Sequence, residues 1–117
     1  MVLEEEKRNG EYSFTLKGCS VRALKVSILE SLLGNMIEEN GFKILKSIFH
    51  SENGKVSFQA ILSESGVSIY TEPEKGTVRI NFHISDTIEH GHLVYGCVEK
   101  FKSIFDTKDH EEKTFFW

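Results

Sequence analysis

Apolar and polar residues alternate from Glu11 to Lys17, so that Tyr12, Phe14 and Leu16 share one side of an extended segment before Gly18-Cys19-Ser20 interrupts the pattern. The period then changes. From Ser20, a good N-cap, apolar residues recur as Leu24, Ile28, Leu32, Met36 and Ile37, with Leu29 and Leu33 widening the stripe, until Asn40-Gly41 supplies a stop. This predicts an amphipathic helix of about five turns. Phe42 to Phe49 and Val56 to Leu62 read as two strands joined through Ser51-Glu52-Asn53-Gly54. Shorter alternating strands follow at Val67 to Thr71 and Thr77 to Ile84. The second points Val78, Ile80, Phe82 and Ile84 one way and Arg79, Asn81, His83 and Ser85 the other. Asp86 or Thr87 can cap a second helix, along which Val94, Cys97, Val98, Phe101, Ile104 and Phe105 follow helical spacing.

A strand-then-helix unit thus stands in each half of the chain, too dissimilar in sequence to establish a duplication. The order of elements predicts an α+β two-layer sandwich, an antiparallel sheet with both helices on one face. The opposite face of that sheet is left without cover from this chain. It must be polar, hold a ligand or meet a second subunit.

At 117 residues the chain fits one domain, 1–117, with residues 1–10 and 106–117 expected as tails. The exception is the terminal Phe115-Phe116-Trp117, three aromatics expected to dock on the core or on a partner. Fourteen Lys and Arg against 18 Asp and Glu leave a net charge of -4, which offers no surplus of positive charge to meet phosphates, so nucleic acid is not an expected partner. The opening MVLEEEKRNG lacks a signal peptide's basic start and apolar run, and no stretch is long and apolar enough to span a bilayer, which makes a cytoplasmic location the expectation and a membrane partner not. Cys19 and Cys97 belong to no ligand set and read as free thiols. His90 and His92 are alternate residues at a helix start, where helical geometry points them apart, so no metal site is expected.

The segment SFQAILSESGVSIYTEPEKG, Ser57 to Gly76, resembles the bacterial and archaeal S-adenosylmethionine decarboxylase family, whose pattern here runs VSG, SESH, SIHTWPE and a glycine. The likeness extends through LKGC at Leu16 to Cys19 and the later strand-helix unit, roughly Gly10 to Phe105. In that family the serine aligned with Ser65 attacks the carbonyl of the preceding residue, here Glu64, and the chain splits to leave a pyruvoyl group on the new N-terminus. That group forms a Schiff base with the substrate amine and accepts the electrons released as CO2 leaves. The resemblance implies a pyruvoyl cofactor derived from Ser65 if the chain is cleaved, and none otherwise. Glu74 aligns with the carboxylate that binds ribose hydroxyls.

The departures cluster around that serine. Ser57 keeps a family serine, but Tyr70 stands where the pattern has histidine and Ser85 where it has cysteine. A phenol is a poor base at neutral pH and an alcohol a far weaker acid than a thiol. Gly66 replaces another histidine, and Glu72 replaces the tryptophan that stacks on adenine. His83, on the same side of its strand as Ser85, is a candidate substitute base if it reaches Ser65.

Two readings follow. One is an uncleaved relative, catalytically impaired, that acts as a binding or regulatory subunit related to polyamine (spermidine) biosynthesis. The alternative is an active pyruvoyl-dependent decarboxylase, self-cleaving between Glu64 and Ser65, acting on S-adenosylmethionine or on another amino acid such as a basic one whose cation meets Glu72. The uncovered sheet face and the family's habit of building its site across two protomers imply a homodimer, or a heteromer with an active relative, and admit a small-molecule ligand.

Overall fold

The computed structural model describes residues 8–20, 26–63 and 65–117. Six strands form one antiparallel sheet: β1 (Gly10–Lys17), β2 (Ile44–Glu52), β3 (Lys55–Leu62), β4 (Ser65–Glu72), β5 (Thr77–Ile84) and β6 (Asp109–Phe116), in the order β2-β3-β4-β5-β1-β6. Two helices, α1 (Val26–Glu39) and α2 (Thr87–Ile104), complete the chain. α1 packs over β2 and β3, and α2 over β1 and β5. Among the described residues no helix is long and apolar enough to cross a membrane.

The alternation read from the sequence decides which face the helices cover. Tyr12, Phe14 and Leu16 of β1 lie in register with Phe82, Ile80 and Val78 of β5, and Phe82 and Ile80 meet Val67 and Ile69 of β4. These side chains are buried together with Phe58, Leu62, Val94, Cys97, Val98, Phe101 and Phe105 in one core. Full burial of each large apolar side chain contributes about 1.5–3 kcal/mol. Phe42, just ahead of β2, stacks on Phe82 at 5.7 Å between ring centroids. The β2–β3 hairpin closes on Asn53 (φ 53°) and Gly54 (φ 81°), the pair of left-handed residues that a two-residue type I′ turn requires. At the other crossing, a side chain at Gly91 would place its Cβ 2.6 Å from the Tyr12 hydroxyl, so glycine sets how closely α2 approaches β1.

Three expectations need correction. The seam of α1 is Leu29, Leu33 and Ile37, all buried, flanked by Met36, whereas Ile28 is 54% exposed; the apolar stripe is broad enough that its centre was displaced by one residue. Residues 21–25, including Leu24, lie outside the described residues. The strand expected at Phe42 to Phe49 starts later and runs to Glu52, with an irregularity between Ile44 and Lys46. Most consequentially, the expected tail at 106–117 contains β6, which pairs with β1 along its whole length from Lys17↔Asp109 to Gly10↔Phe116. Asp109, Glu111, Glu112 and Lys113 suit an exposed edge strand, where charge discourages pairing with other chains, but their low strand propensity hides it from pattern reading.

Candidate functional site

The face of the sheet turned away from the helices is open. Its residues form rows across the strands. One row is Lys46, Ile61, Gly66, His83, Glu11 and Phe115; the next is Ile48, Gln59, Ser68, Asn81, Ser13 and Lys113; a third is His50, Ser57, Tyr70, Arg79, Thr15 and Glu111. The polar side expected for the strand ending at Ile84 is therefore real, but it is interspersed with Ile48 and Ile61, 61% and 58% exposed.

Ser65 opens β4, opposite Leu62 of β3 and Ile84 of β5. Its Oγ accepts a hydrogen bond from the backbone N–H of Ser85 at 3.4 Å, so positions 65 and 85 are neighbours. Glu64 lies outside the described residues. Beside this end of β4, a hollow of about 350 Å³ opens over Gly66, walled by Ile48, Ile61, Lys46 and His83.

His83 does not join Ser65. Its Nδ1 is 3.1 Å from Glu11 Oε1 and its ring lies 5.7 Å from that of Trp117. Strand alternation puts His83 on the open face and Ser65 on the side of Val67 and Ile69. The expected docking of the terminal aromatics is divided in the same way. Phe116 meets Tyr12 edge-on on the helix side at 5.8 Å, while Phe115 and Trp117 lie against each other on the open side at 5.7 Å.

Ser57 and Tyr70 are direct cross-strand partners. They stand five residues along β4 from Ser65, about 17 Å at strand rise. Glu72 and Glu74 are further still, at the β4–β5 turn. Glu72 is held within the chain: Oε1 accepts from Thr77 Oγ1 at 3.2 Å and forms an ion pair with Arg79 Nε at 3.3 Å, and Oε2 pairs with Lys75 Nζ at 3.3 Å. Desolvation alone would raise its carboxyl, but the hydrogen bond and charge of Lys75, the charge of Arg79 and the Thr77 hydroxyl together hold it below the ordinary range. Glu72, the carboxylate that the alternative reading offers to a ligand's cation, is thus already engaged by two cations of this chain. Glu74 is exposed in the turn, with no hydrogen bond or ion pair to the described residues.

Both cysteines are free thiols. Burial pushes the Cys97 thiol up to about 12. Burial also raises Cys19, with Asp106 in the same sense and the Thr107 hydrogen bond and Lys108 opposing it.

The candidate residues therefore divide between two ends of one sheet: Ser65 and Ser85 at one, Ser57, Tyr70, Glu72 and Glu74 at the other. The pyruvoyl group implied by the aligned serine would have to form where the Ser65 hydroxyl meets a backbone N–H, with neither imidazole nor thiol bonded to it among the described residues.

The family model for S-adenosylmethionine decarboxylase matches residues 11–111. No curated protein matches the chain. Among solved structures, the adenosylmethionine decarboxylase from Aquifex aeolicus VF5 is similar with a TM-score of 0.77 at 14% identity, over 93% of this chain and 89% of that one. At that identity the likeness is one of fold.

Proposed function

The chain belongs to the S-adenosylmethionine decarboxylase family, and from that premise we propose that it is an uncleaved binding or regulatory member, related to polyamine biosynthesis, that performs no decarboxylation. One observation carries the reading: the positions that would move protons for Ser65 hold the phenol of Tyr70 and the hydroxyl of Ser85. Neither group exchanges a proton readily at neutral pH.

A second copy of the chain completes the site. Six strands about 4.8 Å apart, each about eight residues long, give an open face of roughly 750 Å². That is close to the ~800 Å² per partner of a stable interface. A two-fold axis that reverses strand direction near the Ser68–Asn81 row brings Ser57, Tyr70 and Glu74 of one copy to the end of the sheet where Ser65 and Ser85 of the other stand, with Ser65 itself turned to the helix side of its strand. Even so completed, the site gains no imidazole at position 70 and no sulfur at position 85.

Intact mass after prolonged incubation tests the reading. A chain that stays at 13.4 kDa is the expected result. Two fragments divided after Glu64, the second bearing a ketoacyl terminus, would make the protein a working pyruvoyl enzyme. The engagement of Glu72 by Lys75 and Arg79 counts against a basic amino acid as that enzyme's substrate.

A further inference from the structure

We propose that Arg79 is the anchor of a carboxylate-binding subsite in the middle of the open face. The inference rests on that face being the ligand-bearing one. A hollow of about 350 Å³ is lined there by Ser13, Thr15, Ser68, Tyr70, Arg79 and Asn81, with no Asp or Glu among its walls.

Its chemistry is donor-rich. Ser13 Oγ donates to Asn81 Oδ1 at 3.1 Å, so the amide oxygen is occupied and the Asn81 Nδ2 hydrogens remain for a ligand. Arg79 Nε lies 3.3 Å from Glu72 Oε1 in an ion pair on one edge of the guanidinium, which leaves the terminal Nη groups to form the fork that meets a carboxylate with two parallel hydrogen bonds. Glu72 does not cancel that charge, because Lys75 neutralises the same carboxylate. Hydroxyls of Tyr70 and Ser68 complete the set. One cation surrounded by neutral donors suits a singly charged carboxylate better than a phosphate dianion.

The placement deepens the non-decarboxylating reading. A decarboxylase must let its substrate's carboxylate lose charge on the way to CO2, and a fixed cation that pairs with the carboxylate stabilises the ground state more than the transition state. Arg79 is therefore a specificity-determining residue for a ligand that keeps its carboxylate.

The test has two arms on the full uncleaved chain. In the first, acetate and inorganic phosphate are titrated separately while the Asn81 side-chain amide and the Arg79 Nε–H resonances are followed. Acetate should shift both saturably and more tightly than phosphate, and Arg79→Gln should abolish the Asn81 shift while Lys113→Gln on the same face leaves it. In the second, calorimetry compares S-adenosylmethionine with its decarboxylated form. The carboxylated ligand should bind at least about tenfold more tightly, a preference that Arg79→Gln removes. Absence of an acetate response, its survival in Arg79→Gln, tighter phosphate binding, or equal affinity for the two S-adenosyl compounds overturns the proposal. An acetate response with neither S-adenosyl compound bound upholds the subsite and overturns the S-adenosyl ligand class instead.

Discussion

Ser57 stands directly across from Tyr70 in the β3–β4 register, at the opposite end of the sheet from Ser65. The register permits no other arrangement within one chain, since a single-residue slip would turn the buried Phe58, Val67 and Ile69 towards solvent. Residues adjacent in the linear motif are thus held apart by the very strand that carries them. A site that uses both sets has to take one from each of two copies.

Complementation follows from that separation. Wild-type chain and the single variants Tyr70→His and Ser85→Cys are expected to remain intact, while the double variant accumulates fragments ending at Glu64 and beginning at Ser65. Mixing the two single variants under conditions that exchange subunits should also yield fragments, because one of the two sites in a mixed pair then holds both repaired groups. Cleavage by wild type at the rate of the double variant would show that positions 70 and 85 do not limit the reaction.

Much of this arrangement is legible in the sequence because burial imposes a period. Tyr12, Phe14 and Leu16, or Val78, Ile80, Phe82 and Ile84, declare both a strand and its buried side, and Val94 to Phe105 declare a helix. β6 stays hidden because an edge strand has little to bury, and its charges resemble those of a solvated tail. The division of the site is not legible for a different reason. A motif gives order along the chain, whereas the distance from Ser65 to Tyr70 is set by β4 remaining extended between them. The ion pairs that occupy Glu72 depend on Arg79 arriving from the neighbouring strand, a matter of register that spacing does not state.

Thr71 is the one fully buried polar residue in the described core, and its Oγ1 accepts the Val56 N–H at 2.9 Å. Thr71→Val fills the same volume but leaves that N–H without its acceptor, a loss of about 1–3 kcal/mol. Urea unfolding should report it, and Thr71→Ser, which keeps the oxygen, should recover most of the difference.

Phe116 and Phe115 are neighbours in β6 with different roles. Phe116→Ala removes the edge contact with the buried Tyr12 and should lower stability by about 1–2 kcal/mol. Phe115→Ala lies on the open face and should leave the urea midpoint of the isolated chain nearly unchanged.

Cys97 gives the fold an alkaline limit. Its thiol is raised from an ordinary 9.0 to about 12 by burial, so the folded state favours the protonated form. The sign is that of a raised group: its contribution is complete below pH 9 and is lost as pH climbs through about 12. Stability should therefore fall with pH in that window, and Cys97→Ala should flatten the fall while costing about 1 kcal/mol at neutral pH through the small cavity it leaves. Denaturation followed by circular dichroism at a series of alkaline pH values measures both. An equal slope in wild type and variant would assign the fall to other groups, of which Tyr12 and Tyr95, both also raised by burial, come first.

The open face makes the remaining prediction. Ile48, Ile61, Phe115 and Trp117 are all more than half exposed there, and a second copy laid across the face removes them from water. Light scattering at micromolar concentration should give twice 13.4 kDa. Ile61→Lys places a charge in the row that also holds Lys46, and should shift the population to monomer. Ile88→Lys provides the control, since Ile88 is equally exposed but sits in the first turn of α2, on the far side of the sheet. If both variants dissociate the assembly, or neither does, the contact lies elsewhere on the molecule. A monomeric wild type would leave Ser65 and Tyr70 permanently apart, and the two-copy site would have to be abandoned whatever the state of the chain at Glu64.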